Sequence, residues 1–316
     1  MGLRVTALMK RVRVAALALC VQLALTCAPV ALAQEPAAQP APPAAGRGRG
    51  PIPVDPRVQQ REHSFGETNE KIPYAVFVSS KVRRDTKAPL VIALHGLGGT
   101  HNSLLRGNAL DLAEAGGYIL VGPMGYNPRG WYGVPATGRG RRAGAPNAAG
   151  APQANPAPGR QGPPPGAFAD ANDPTNLREL SEKDVLNVLE LVRKEFNVDE
   201  RRTYLMGHSM GGAGTFHLAV KYPGNWAATA SIAPAAFGMQ PSSLSAIPNM
   251  PMMIVHGDAD TAVPVDVGRS WAAAMKELNM THQYIEVPGG DHGNVISIGM
   301  PGVFAFFAAH TKPPSR

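Results

Sequence analysis

Blocks of apolar residues separated by polar, glycine-containing breaks divide most of this chain into predicted strands and helices. Residues 90–94, Leu-Val-Ile-Ala-Leu, are apolar at every position, the pattern of a strand covered on both faces. Residues 74–78, 118–121, 202–206, 227–232, 252–255 and 283–287 read as further strands. Between them, apolar positions spaced by three and four residues predict helices over 105–115, 181–196, 210–221 and 267–278. In the second of these, Val185, Leu186, Val188, Leu189 and Val192 form the buried stripe, and Ser181 followed by Asp184 reads as a capping-box start. Strands alternating with helices predict an α/β fold with a doubly wound, mostly parallel sheet and helices on both faces.

Three stretches depart from this alternation. Residues 1–33 carry Arg4, Lys10, Arg11 and Arg13, then an apolar run over 14–25, then Ala31-Leu32-Ala33, which is the order of a secretory signal peptide cleaved after Ala33. The apolar run is short and ends at Thr26, Cys27 and Pro29, so no stable membrane insertion is expected after cleavage, and the protein is expected to be secreted or periplasmic. Residues 34–61 are rich in Ala, Pro and Gly and read as a flexible tether, because that composition buries too little apolar area to offset its ordering entropy. The folded domain is expected over 62–316, interrupted at 138–174 by a low-complexity insertion of Gly, Ala, Pro, Arg and Asn.

The leader changes the reading of charge and cysteine. Four basic residues and no acidic ones lie within it, so the formal charge of +7 falls to +3 for the remainder. The remaining arginines gather partly in Gly-Pro segments (Arg47, Arg49, Arg139, Arg141, Arg142, Arg160) without interleaved aromatics, and nucleic acid is not an expected partner. Both cysteines, Cys20 and Cys27, belong to the leader, which removes disulfides, a thiol nucleophile and cysteine metal ligands from the rest. The domain must therefore rest on its own core, for which 44% hydrophobic residues suffice.

The chemistry is carried by Gly207-His208-Ser209-Met210-Gly211-Gly212, at the junction of a predicted strand and a predicted helix. A nucleophilic serine on so sharp a turn needs glycines two residues to either side, because larger side chains would clash there. A serine hydroxyl also needs a base to take its proton and a carboxylate to orient that base. His292, in the glycine-rich loop after the last strand, is placed as the base. Residues 256–264, His-Gly-Asp-Ala-Asp-Thr-Ala-Val-Pro, offer two carboxylates after a strand, Asp258 and Asp260. The Gly257 turn favours Asp260, and Asp258 stays open as an alternative. The backbone N–H groups of Leu97, in the loop His95-Gly96-Leu97-Gly98-Gly99, and of Met210 are the expected oxyanion donors. Trp131 and Tyr132, on a loop, and His208, beside the serine, are candidate substrate contacts. A metal site on Asp258, Asp260, Asp291 and His292 is a competing reading with little support; no metal and no cofactor are expected.

These motifs together resemble the α/β-hydrolase superfamily, over roughly residues 70–308. Within it the chain is similar to secreted polyhydroxyalkanoate-depolymerase-like and feruloyl-esterase-like carboxylesterases, and to predicted peptidases of prolyl-oligopeptidase type. The resemblance implies Ser209, Asp260 and His292 as a triad, with Leu97 and Met210 as oxyanion donors. The expected activity is hydrolysis of short-chain or aromatic carboxylic esters, small or oligomeric, through an acyl-enzyme; a serine peptidase or a non-catalytic binding protein on the same fold are the alternatives.

Overall fold

The computed structural model describes residues 53–135 and 170–313, so the readings of the leader, of the tether up to residue 52 and of most of the insertion lie outside the described residues. Eight strands, β1 (Gln59–Phe65), β2 (Glu70–Val78), β3 (Ala88–Leu94), β4 (Ile119–Pro123), β5 (Val198–His208), β6 (Ala228–Ile232), β7 (Met252–Gly257) and β8 (His282–Val287), form one sheet in the order β1-β2-β4-β3-β5-β6-β7-β8. β2 is antiparallel to both of its neighbours, β1 and β4, and the remaining neighbours are parallel.

Among the described residues five α-helices cover the two faces: α1 (Asn108–Gly116), α2 (Leu177–Glu195), α3 (Met210–Lys221), α4 (Val265–Glu277) and α5 (Asn294–Ala309). Alternation along β3 sorts the core. Leu90, Ile92 and Leu94 pack with Val185, Val188, Phe216 and Trp271 of α2, α3 and α4. Val91 and Ala93 point the other way, toward Leu110 and Ala113 of α1 and Val303, Phe304 and Phe307 of α5. Every residue of β3 is buried, as a central strand between two helical layers requires.

Two readings of the sequence need correction. The ordered chain begins ahead of residue 62, because β1 starts at Gln59; of its seven residues only His63 and Phe65 are buried, so this polar edge strand carries no apolar alternation to read. α2 begins at Leu177, which puts Ser181 and Asp184 inside the helix rather than at its start, both fully buried. The last described helix, α5, has sixteen residues and runs through Pro301.

The crossovers bring the ends of β3, β5, β7 and β8 to one edge of the sheet. There β5 pairs with β3 through Leu94 and Gly207, and with β6 through His208 and Ile232. The loops leaving this edge carry the residues singled out from the sequence, in keeping with the preference of open α/β sheets for sites at the carboxyl ends of their strands.

Candidate active site

Ser209 stands between β5 and α3 with φ 57° and ψ −116°, a conformation that side-chain-bearing residues rarely adopt. Steric demand from its neighbours explains the glycines. A Cβ on Gly207 would overlap the Gly211 carbonyl, and one on Gly211 would overlap the Leu94 carbonyl, so β3, β5 and α3 pack here with no room for a methyl group. The strained turn is held from the next strand, where the Ile232 carbonyl accepts the Ser209 N–H at 2.9 Å, and Ala235 N–H in turn donates to the Ser209 carbonyl at 2.9 Å.

His292, on the loop between β8 and α5, places Nε2 2.9 Å from Ser209 Oγ and Nδ1 2.7 Å from Asp260 Oδ2. Asp260 follows β7 and is buried; its Oδ1 accepts the N–H groups of Ala262 and Val263, both at 2.8 Å. Burial pushes the Asp260 carboxyl up, but hydrogen bonds from His256, His292 and Val263 outweigh it and hold the group well below the usual carboxylate range. His256, not singled out from the sequence, lies beneath this carboxylate: its Nε2 is 3.0 Å from the Val263 carbonyl and 3.5 Å from Asp260 Oδ2. Asp258 makes a different contact, accepting the Gly289 N–H at 2.6 Å, and so pins the β8 turn rather than the histidine.

The loop after β3 lies against the serine: a Cβ on Gly96 would stand 3.2 Å from Ser209 Cβ. Among the described residues neither Leu97 N–H nor Met210 N–H has an acceptor, Met210 being the first residue of α3. The loop is held from behind. Gly98 N–H donates to the Pro128 carbonyl at 3.0 Å, His95 Nε2 lies 2.8 Å from the Met124 carbonyl, and Tyr132 Oη donates to the His95 carbonyl at 3.2 Å.

Two of the residues read as substrate contacts do other work. Tyr132 is fully buried, its N–H donating to Ser181 Oγ at 3.0 Å, so it anchors the 125–133 loop and braces His95 instead of facing a ligand. His208 turns toward the histidine loop: its Nε2 donates to the His292 carbonyl at 2.7 Å, and the two rings lie 4.6 Å apart. Burial first, and then the neighbouring His292, push the His208 imidazole down to about 4, which keeps it neutral. Trp131 remains half-buried against the core with the Arg178 guanidinium over its ring. The buried Asp184 completes the support: Oδ2 accepts Gly125 N–H at 2.7 Å and Tyr126 N–H at 3.1 Å, while Oδ1 lies 2.7 Å from His63 Nε2.

The sheet order, the serine turn and the three loops at its edge decide the architecture, and solved structures agree with it. The chain has the α/β-hydrolase fold. An S-formylglutathione hydrolase from Agrobacterium tumefaciens superposes with a TM-score of 0.57 at 17% identity, over 81% of this chain and 95% of that one. A CE1 ferulic acid esterase from Anaeromyces mucronatus gives 0.56 at 17% identity, over 80% and 90%. Within this hydrolase fold, residues 178–292 match a family model described as putative esterase, a stretch that contains Ser209 and Asp260 and ends on His292. The chain also resembles feruloyl esterase B of Neurospora crassa, 26% identical over 196 residues, which are 61% of this chain. The matched part spans about half of that relative, 54% of its length. Among the described residues no helix is long and apolar enough to cross a membrane.

Proposed function

We propose that this α/β-hydrolase is an exported serine carboxylesterase acting on esters with short-chain or aromatic acyl groups. The observation that carries the reading is the unbroken relay from Ser209 Oγ to His292 at 2.9 Å and from His292 to the buried Asp260 at 2.7 Å, on a strained turn. Ser209 Oγ attacks the ester carbonyl as His292 Nε2 takes its proton, and Asp260 holds the ring and stabilises its positive charge. The oxyanion so formed accepts hydrogen bonds from Leu97 and Met210 N–H, each such donor contributing on the order of 3 kcal/mol to the transition state. His292 returns the proton to the departing alcohol, leaving an acyl group on Ser209, and a water activated in the same way releases the acid.

The likeness to feruloyl esterase B supports an aromatic acyl group among the substrates. The export reading rests on the order of basic, apolar and small residues in 1–33. The test is hydrolysis of p-nitrophenyl acetate, p-nitrophenyl butyrate and methyl ferulate by the protein and by its Ser209→Ala variant. Turnover that vanishes in the variant is the expected result; equal turnover in the two proteins would remove Ser209 from the mechanism.

A further inference from the structure

We propose that the cleft between the starts of α1 and α5 receives a carboxylate carried on the alcohol side of the ester, with Arg106 as its counter-ion. This rests on the serine-esterase reading above. The cleft encloses about 460 Å³, and its lining includes Gly293, the residue after His292. That position assigns it to the alcohol. The group that protonates the leaving oxygen must have the leaving group on its own side, and here that group is His292.

The lining says what kind of alcohol fits. Leu104 and Met300 are buried and apolar and suit an aliphatic or aromatic body. The polar neighbours are already engaged: Ser103 Oγ accepts Thr100 N–H at 2.9 Å, and Asn108 Nδ2 donates to the Ser297 carbonyl at 2.8 Å. Arg106 is different. It is exposed and, among the described residues, makes no ion pair or hydrogen bond, whereas Arg57, Arg61, Arg129, Arg193, Arg202 and Arg269 each hold a carboxylate. The Arg106 charge is felt at His208, beside the nucleophile, which places it within electrostatic reach of the reacting centre. A guanidinium at the rim of an apolar cleft matches a planar, singly charged carboxylate in shape and charge.

The experiment compares kcat/KM for 4-acetoxybenzoate and for its methyl ester, methyl 4-acetoxybenzoate, in the wild-type protein, Arg106→Gln and Arg106→Lys. The two leaving phenols differ in intrinsic reactivity, but that difference cancels when the charged-to-neutral ratio is compared between variants. Arg106→Gln is expected to lower the ratio roughly three- to fivefold, as for an exposed ion pair at the upper end of its usual range, with Arg106→Lys retaining part of it. In 0.5 M NaCl the wild-type ratio should fall toward that of Arg106→Gln. A ratio that is the same in wild type and Arg106→Gln overturns the subsite while leaving the esterase reading intact. If neither ester is hydrolysed, the esterase reading fails, and calorimetric binding of 4-hydroxybenzoate then decides the subsite: binding weakened in Arg106→Gln supports it, and equal or absent binding overturns it.

Discussion

Acid should destabilise this protein through His208, and the size of the effect follows from the structure. The folded chain holds the imidazole down to about 4 by burying it and setting it against His292, whereas the unfolded chain leaves it at the ordinary 6.5. With the folded value the lower one, the unfolded state takes up the proton first. Stability from this group is therefore complete above pH 6.5 and is lost as the pH falls toward 4. At ~1.4 kcal/mol for each pH unit of displacement, the full loss is about 3.5 kcal/mol, of which about 2.5 kcal/mol is reached by pH 4.5. His208→Gln removes the titration but keeps an amide N–H able to reach the His292 carbonyl. Urea unfolding of the two proteins at pH 7.5 and pH 4.5 measures the difference directly. Buried His95 and half-buried His101, whose imidazoles are also pushed down by desolvation, remain in both proteins and cancel. The wild type should lose about 2.5 kcal/mol more than the variant on acidification. Losses that agree to within about 0.5 kcal/mol would refute the argument, because His208 would then be as easily protonated folded as unfolded.

Asp260→Asn should lower kcat/KM for p-nitrophenyl butyrate by about 10⁴-fold, whereas Asp258→Asn, which keeps an amide oxygen to accept Gly289 N–H, should change it less than about threefold. Equal losses in the two variants would mean that the carboxylate has been misassigned. Gly211→Ala drives a methyl into the Leu94 and His95 carbonyls and should cost about 3 kcal/mol or more in urea unfolding, against a change within about 0.5 kcal/mol for Gly224→Ala, where nothing lies within 4 Å. Tyr132→Phe removes the hydrogen bond to the His95 carbonyl and should cost about 1 kcal/mol of stability; if Tyr132 instead touched substrate, KM would rise with stability unchanged.

What could be read from the sequence was local. The serine turn is legible because part of its steric rule is local: a Cβ on Gly207 would meet the Gly211 carbonyl four residues on, although Gly211 itself is required by the remote Leu94 carbonyl. The sheet is legible because central parallel strands are apolar throughout, as in β3. The contacts that His208 and Tyr132 make were not legible because their partners are remote, 84 residues away in one case and 37 in the other, and nothing near them in sequence names those partners. A ring beside a nucleophile reads equally as a substrate contact or as a brace for the opposite loop. β1 gave no alternation because an edge strand buries few of its side chains.

Ser181 and Asp184 show how part of the remainder can be recovered. Their three-residue spacing fits a capping box, but the same two positions fall on the stripe formed by Val185, Val188 and Val192, the stripe that faces the core. A polar residue on that stripe must find partners or leave a buried group unsatisfied at a cost of about 1–3 kcal/mol. Both do find partners, and the partners lie on one loop: Ser181 takes the Tyr132 N–H, and Asp184 takes the N–H groups of Gly125 and Tyr126. That loop in turn accepts Gly98 N–H through Pro128 and braces His95 through Tyr132. Two polar residues on an apolar helix face thus fix, through one loop, the backbone around Leu97 that is proposed to donate to the oxyanion. The periodicity of α2 contains the signal for this support, and the capping rule conceals it when it is applied before the helix boundary is known.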